Sequence, residues 1–121
     1  MVKALFDTNI LVDHLNAVPK ARVELARYDG KAISMITWIE VLVGAAKDVE
    51  AATRSFLRSF ELVGLDETIA ERAVQLRRAH RIKLPDALVW ASAETRGLLL
   101  VTRNTRDFPA NDPGVRHPYT A

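Results

Sequence analysis

A short, mainly apolar run near the start of the chain ends at an acidic residue. Residues 2–6 are predicted to form a buried strand, and Asp7-Thr8-Asn9 follows it directly. An open α/β sheet binds its ligands at the carboxyl ends of its strands, which is where this acid would lie. Asp before a helix is also a common N-cap, because its carboxylate accepts backbone N–H bonds. Asp7 alone leaves both interpretations open.

Apolar runs alternate with helical patterns along the rest of the chain. Strands are predicted at 2–6, 32–35, 61–65 and 98–101, with a short edge strand at 115–117, and helices at 9–15, 19–28, 37–46, 49–60, 66–80 and 85–95. This alternation predicts a parallel sheet with helices on both faces. At 121 residues, the chain is expected to form one domain spanning 1–121.

Three further acids share the placement of Asp7. Glu40, Asp86 and Asp107 each lie just past a predicted strand or in the first turn of a predicted helix. The carboxyl ends of parallel strands share one edge, so we expect the four acids to converge. Two carboxylates about 4 Å apart repel by roughly 4 kcal/mol at an effective dielectric near 20. Such a cluster needs a cation, and oxygen ligands without Cys or neighbouring His suit Mg²⁺ or Mn²⁺.

The chemistry this predicts is metal-assisted hydrolysis of a phosphodiester, because such an ion bridges phosphate oxygens and lowers the pKa of bound water. Local structure offers competing explanations. Thr37-x-x-Glu40 matches a capping box, Asp86 complements the dipole of its helix, and Asp107 is placed to cap the turn before Phe108.

Four motifs, in this order, resemble those of the PIN-domain family, and more narrowly of VapC-type toxin ribonucleases from bacterial and archaeal toxin–antitoxin pairs. The resemblance covers essentially the whole chain. It implies a three-layer α/β/α fold with a central parallel sheet of four to five strands. The motifs are Asp7-Thr8-Asn9-Ile10-Leu11, Ser34-x-x-Thr37-x-x-Glu40, Leu84-Pro85-Asp86-Ala87 and Thr102-Arg103-Asn104-x-x-Asp107-Phe108.

The resemblance also implies a function, a Mg²⁺- or Mn²⁺-dependent endoribonuclease with a VapB-like antitoxin, an RNA substrate and a homodimeric state. Asp7 and Asp86 are expected to hold the principal metal, and Glu40 to bind or orient the attacking water. At the fourth position many relatives have Asp where Asn104 stands, and others rely on an acid where Asp107 stands. We assign the fourth acid to Asp107, supported by Asn104.

Polar and basic residues beside these motifs are candidates for supporting roles. Local turn formation and a solvated helix face explain them equally well. Candidates to hydrogen-bond the site acids or metal-bound water are Thr8, Asn9, Thr102 and Asn104, and candidates to track the RNA backbone are Arg77, Arg78, Arg81, Lys83, Arg103 and Arg106. Asp13 is predicted to face solvent.

Composition narrows the classes further. A net charge of +2 supports nucleic-acid binding only weakly. The absence of cysteine excludes disulfides, Cys-ligated zinc and thiol catalysis, and fits a cytoplasmic location. No apolar run approaches the ~20 residues of a membrane span. The three scattered histidines argue against a metal-free ribonuclease that uses two histidines.

Two alternatives remain open. The same fold and acids suit a nuclease acting on DNA or in RNA processing without a toxin role, because the sequence has no clear reader of the 2′-hydroxyl. The other alternative is a degenerate PIN-like module that binds a partner and has no catalytic activity. It remains open because Asn104 stands at the fourth acidic position.

Overall fold

The computed structural model describes residues 3–120. All the predicted elements occur within these residues, with bounds within three residues of those expected. Val2, predicted in the first strand, lies outside the described residues. The strands are β1 (Lys3–Phe6), β2 (Gly30–Ser34), β3 (Glu61–Val63), β4 (Leu99–Val101) and β5 (Val115–Arg116), and the helices are α1 (Thr8–Leu15), α2 (Pro19–Ala26), α3 (Met35–Val43), α4 (Glu50–Leu57), α5 (Glu67–His80) and α6 (Leu84–Thr95), with a 3₁₀ turn at Lys47–Val49 before α4.

The five strands of the described chain form one parallel sheet in the order β3-β2-β1-β4-β5. The chain moves outward from β1 to β3 and then returns to the other side of β1 with β4. The reversal between β1 and β4 is where open α/β sheets bind ligands, outside the carboxyl ends of the strands. The register pairs Phe6 with Val101, so Asp7 and Thr102 leave the sheet side by side.

β1 shows why helices cover both faces of the sheet. Leu5 packs in a core with residues of α5 and α6, including Ile69 and Trp90. Phe6 packs in the opposite core with residues of α1 and α4, including Ile10. Both side chains are fully buried, and a strand buried on both faces has the near-continuous apolar sequence seen here. The predicted three-layer architecture is confirmed.

α3 begins earlier than predicted. Ser34 is its N-cap, with an extended backbone and a hydroxyl that accepts a 3.1 Å hydrogen bond from the amide of Ile36. Thr37 is buried inside the helix, so the predicted capping box with Glu40 is wrong. Because Ser34 caps the helix three residues upstream of Thr37, the Glu40 carboxylate is left for another partner.

α6 begins as expected. Pro85 occupies its second position and Asp86 its first turn, where the positive end of the helix dipole favours a carboxylate. α5 is capped by Asp66, whose carboxylate accepts a 2.8 Å hydrogen bond from the amide of Ile69. None of the helices described in residues 3–120 is long and apolar enough to cross a membrane.

Candidate active site at the carboxyl edge of the sheet

Asp7 lies at the centre of this edge and is only 5% exposed. One carboxylate oxygen accepts a 2.8 Å hydrogen bond from the amide of Thr8 and so caps α1. The other accepts a 2.8 Å bond from the hydroxyl of Thr102 and a 3.2 Å bond from the side-chain amide of Asn9. The cap role is therefore compatible with a site role, since the second oxygen faces the residues that follow β4.

The four predicted acids influence one another electrostatically. The pKa of Asp7 is raised to about 6, chiefly by burial and to a smaller extent by the charges of Asp86 and Glu40, against the lowering effect of its hydrogen bonds from Thr102 and Thr8. Burial also raises the pKa of Asp86, the charges of Asp107 and Glu40 add to this, and Lys83 opposes it. The acids lie far apart in sequence, yet the fold brings their charges into one neighbourhood.

Glu40 is linked to the start of α1 through a hydroxyl. The hydroxyl of Thr8 donates a 2.6 Å hydrogen bond to the Glu40 carboxylate, and the hydroxyl of the buried Thr37 lies 3.1 Å from the Thr8 hydroxyl. Thr37 was recognised only as a capping residue in the sequence. Thr37 precedes Glu40 by three residues on α3, which places both side chains on one helix face. This spacing is the sequence feature that indicates a role for Thr37 beside Glu40.

The loop after β4 is organised by Asn104. Its side-chain oxygen accepts hydrogen bonds from the backbone amides of Arg106 and Asp107 at 3.2 and 3.1 Å. Its side-chain amide donates a 3.0 Å bond to the Asp107 carboxylate. Asn104 thus caps this turn, the role that the sequence offered as the alternative for Asp107. Asp107 is the acid that this turn holds, and its charge raises the pKa of Asp86.

Several of the candidate backbone-binding cations lie on one surface. Arg77 also donates a 2.8 Å hydrogen bond to the carbonyl of Ile82, and the Arg106 side chain is 85% exposed. No ion pair is formed by Arg77, Arg78, Arg81 or Lys83 within residues 3–120. A cavity of about 520 Å³ between α5 and α6 is lined by Val74, Arg77, Arg78, Arg81, Ile82 and Leu84.

The acids provide the oxygen ligands that a hard cation prefers, but they do not form a complete coordination site in this structure. Within residues 3–120, no three His, Cys, Asp or Glu side chains are grouped so as to hold a metal ion. The available ligands are carboxylate oxygens, which suit Mg²⁺ and Mn²⁺. The raised pKa values of Asp7 and Asp86 record uncompensated burial and repulsion, which a bound cation offsets. On donor chemistry, the site fits such an ion.

Comparison with known proteins identifies the family. The model of the PIN domain matches residues 4–112. The chain belongs to the PIN-domain family. Among related proteins, Ribonuclease VapC10 from Mycobacterium tuberculosis is 37% identical over 113 residues, covering 87% of this chain and 85% of the relative. The tRNA(fMet)-specific endonuclease VapC from Shigella flexneri is 31% identical over 120 residues, covering 89% and 91%.

A solved structure supports the same assignment. A chain of a toxin–antitoxin complex from Klebsiella pneumoniae superimposes on this PIN domain with a TM-score of 0.93 and 46% identity, covering 98% of this chain and 100% of that chain. The predicted resemblance to PIN-domain proteins of the VapC type is confirmed.

One feature of this PIN domain was missed in the sequence. Asp13 is 8% exposed, so the prediction that it faces solvent is wrong. Its carboxylate accepts two hydrogen bonds from the Arg103 guanidinium, at 2.6 and 3.0 Å, and one from the Tyr119 hydroxyl at 2.8 Å. Asp13 follows the fully buried Ile10 by three residues on α1, so helical periodicity already indicated a buried position.

This pairing separates Arg103 from the other predicted RNA-binding cations. A bidentate guanidinium–carboxylate pair is geometrically specific, and Arg103 would have to leave Asp13 to reach a phosphate. Among the described residues no bidentate carboxylate pair holds the remaining candidates, although Arg77 donates to the carbonyl of Ile82 and Arg106 lies 3.9 Å from Asp107. The other three candidates are Arg78, Arg81 and Lys83.

Proposed function

We propose that this PIN domain is a metal-dependent endoribonuclease, and that it is the toxin of a type II toxin–antitoxin pair. The observation that carries the proposal is the buried Asp7 carboxylate at the reversal of the sheet, with Asp86 and Glu40 close enough to raise its pKa. The named ribonuclease relatives and the Klebsiella toxin–antitoxin complex support the substrate and the biological role.

Each site residue has a distinct task in this proposal. Asp7 and Asp86 would hold a Mg²⁺ or Mn²⁺ ion, with Asp107 completing the acidic edge. When bound, the ion lowers the pKa of water and stabilises charge that develops on phosphate oxygens. Glu40, held by the Thr8 hydroxyl, orients the attacking water.

The hydrogen-bonding side chains around these acids keep them ordered. Thr102 and Asn9 donate to the same Asp7 oxygen and fix the carboxylate, and within residues 3–120 no guanidinium or ammonium pairs with it. Asn104 fixes the Asp107 carboxylate in a similar way, although the exposed Arg106 guanidinium lies 3.9 Å from it. Groups that orient metal ligands in this way typically affect metal affinity or activity by about 10–100-fold when changed.

The test of the proposal compares nucleic acids and a matched variant. Purified chain with Mg²⁺ is incubated with total cellular RNA and with DNA, and Asp7→Asn and Asp86→Asn are compared with Asp29→Asn, an exposed acid before β2. We expect metal-dependent RNA cleavage by wild type and Asp29→Asn alone. Cleavage near the wild-type level by Asp7→Asn would overturn the site assignment. Cleavage of DNA alone, or no cleavage at all, would favour one of the two alternative functions.

We further propose that Arg77, Arg78, Arg81 and Lys83 contact the RNA backbone beside Asp86. Replacing the three arginines by Ala should weaken RNA binding across sequences. It should also flatten the salt dependence of binding by up to about one log–log unit for each phosphate that is no longer bound. An unchanged salt slope would indicate a solvated helix face instead.

The partners follow from the same proposal. A VapB-like antitoxin and a homodimeric state are expected, with the antitoxin covering the acidic groove. Coexpression with the product of an adjacent reading frame should suppress cleavage, and light scattering of the purified chain should give twice the monomer mass. Undiminished cleavage in the presence of a bound partner would contradict the proposed mode of inhibition.

A further inference from the structure

We infer that Asp13 is a positioning residue for the cleavage site, acting through Arg103 on the loop that follows β4. Its meaning for catalysis rests on the proposed function, but the contacts that carry it do not. Asp13 touches none of the four site acids by hydrogen bond within the described residues. Its side-chain partners are Arg103 and Tyr119, and Arg103 lies in the loop that carries residues bonded to the site acids.

The path begins at the backbone of Arg103. While its guanidinium is held by Asp13, its amide donates a 3.1 Å hydrogen bond to the side-chain oxygen of Asn9. Asn9 and Asp13 are four residues apart and share one face of α1. The loop is therefore fastened to α1 at two points by a single residue.

Both neighbours of Arg103 act directly on the acids. The Thr102 hydroxyl donates to Asp7 at 2.8 Å and accepts from the amide of Asn104 at 3.0 Å. Asn104 in turn holds the Asp107 carboxylate at 3.0 Å. Asp7 and Asp107 thus depend on the same short segment, and the Asp13–Arg103 pair fixes that segment in place.

The molecule contains a matched control. Glu24 on α2 accepts bonds from the Arg116 guanidinium at 2.7 and 3.0 Å and from the Tyr28 hydroxyl at 2.7 Å. This cluster has the same bidentate arginine and tyrosine bonds, with the exposed Arg27 3.8 Å away in addition, but it holds the edge strand β5. The control is stringent because the Arg116 carbonyl accepts a 3.1 Å bond from the amide of Thr102. If general loosening of this edge disturbed the loop, Glu24→Gln would do so as well.

The test measures local opening without any cleavage. Amide hydrogen exchange in the full chain is followed by NMR in EDTA, at Asn104, Arg106 and Asp107. Asp13→Asn should accelerate exchange at these amides by at least about tenfold relative to wild type. Glu24→Gln should leave them within about twofold and accelerate Val115 and Arg116 instead. Equal acceleration of the loop amides in both variants, or none in Asp13→Asn, would overturn the inference.

A second readout connects the loop to the proposed site. The Mg²⁺ concentration for half-maximal RNA cleavage should rise at least about fivefold in Asp13→Asn and stay unchanged in Glu24→Gln. Tyr119→Phe and Tyr28→Phe form a milder pair in which each variant loses one hydrogen bond, and they replace the acid variants if those fail to fold. A wild-type chain that cleaves no RNA would reject the proposed function, while the exchange measurement would still decide the positioning role.

Discussion

Four carboxylates of this PIN domain have shifted pKa values and fall into two groups with opposite surroundings. Asp13 binds Arg103 and Tyr119, and Glu24 binds Arg116 and Tyr28, with the exposed Arg27 a further 3.8 Å from the Glu24 carboxylate. The Arg103 hydrogen bond lowers the pKa of Asp13. Burial alone would raise the pKa of Glu24, but the bonds from its arginine and tyrosine outweigh it and the net shift is downward. Asp7 and Asp86 form no ion pair within residues 3–120, and their pKa values are raised.

The difference separates carboxylates that stabilise the fold from those held ready for a ligand. Neutralising a buried acid with a guanidinium gives stability and specificity of packing. Leaving it without a cation costs stability, and proteins accept that cost mainly at functional sites. Placement decides which applies: the paired acids lie on the outer helices α1 and α2, and the unpaired ones lie at the carboxyl edge of the sheet.

Replacing Glu24, the more deeply buried of the two arginine-paired acids, should cause the largest loss in the free energy of unfolding. Glu24→Gln keeps the side chain's size but removes the charge opposite Arg116, and hydrogen bonds to charged groups contribute about 1.5–3 kcal/mol. Because the Arg116 side chain is 32% exposed, water partly compensates, and we expect a loss of about 2 kcal/mol. Urea unfolding measures it. Glu71→Gln, at an exposed position on α5, is the control, and an equal loss there would contradict the comparison.

The unpaired group should respond in the opposite direction. Asp7→Asn removes a charge that is disfavoured in the folded state, so the variant should gain about 1–2 kcal/mol in EDTA at pH 8. The gain develops as the pH rises from about 4 to about 6 and is complete above pH 6; it should vanish near pH 3, where the carboxylate is mostly protonated in both states. Urea unfolding at both pH values tests this against Asp29→Asn. A destabilised Asp7→Asn at pH 8 would mean that capping α1 outweighs the charge.

Acid unfolding should reveal the paired group. A lowered folded-state pKa gives stability that is present above the ordinary value near 4 and is lost as the pH falls through the folded-state value. The double variant Asp13→Asn/Glu24→Gln should have a lower free energy of unfolding than wild type at neutral pH. This difference should narrow by about 1 kcal/mol or more below pH 4. Unfolding midpoints at pH 7, 5, 4 and 3 would show it. A constant difference would attribute the loss to packing rather than to charge.

The sequence indicates the acids of the sheet edge more readily than the arginine-paired acids, for a physical reason. Asp7, Glu40 and Asp107 come after β1, β2 and β4, and Asp86 lies in the first turn of α6. The order of these elements is enough to suggest that the four acids converge. Asp13 and Glu24 are joined to partners about ninety residues away, and no local pattern predicts a pair at that separation. Helical spacing was the missed signal for their burial, since Asp13 follows the buried Ile10 and Glu24 follows the buried Ala21 by three residues.

The predicted start of α3 was wrong because two residues of the sequence were candidates for its N-cap. Ser34 and Thr37 are both good N-caps, and only the position at which β2 leaves the sheet selects the first. The prediction of α3 was therefore late by two residues, and the capping box, offered as the alternative explanation for Glu40, gave it a backbone partner that it does not have. The hydroxyl that does bind Glu40 belongs to Thr8 on another helix, a contact that requires the assembled sheet.

The smallest effect is expected at the fourth acidic position, where the two groups meet. Asp107 is held by the neutral Asn104 amide rather than by a buried arginine, and Arg106 lies 3.9 Å away at a largely exposed position. If its charge serves the site, Asp107→Asn should raise the Mg²⁺ concentration for half-maximal cleavage by roughly threefold to tenfold, less than the loss in Asp7→Asn.

Asn104→Asp keeps the oxygen that accepts from the Arg106 and Asp107 amides, but it replaces the donor to Asp107 with a second charge. Repulsion then loosens the turn in EDTA, and bound Mg²⁺ should restore it, so this variant should gain more thermal stability from Mg²⁺ than wild type does. Asn104→Ala removes the cap without adding charge and is the matched control. If Asp107→Asn titrates like wild type while Asn104→Ala is inactive, the fourth site residue is Asn104 and not Asp107.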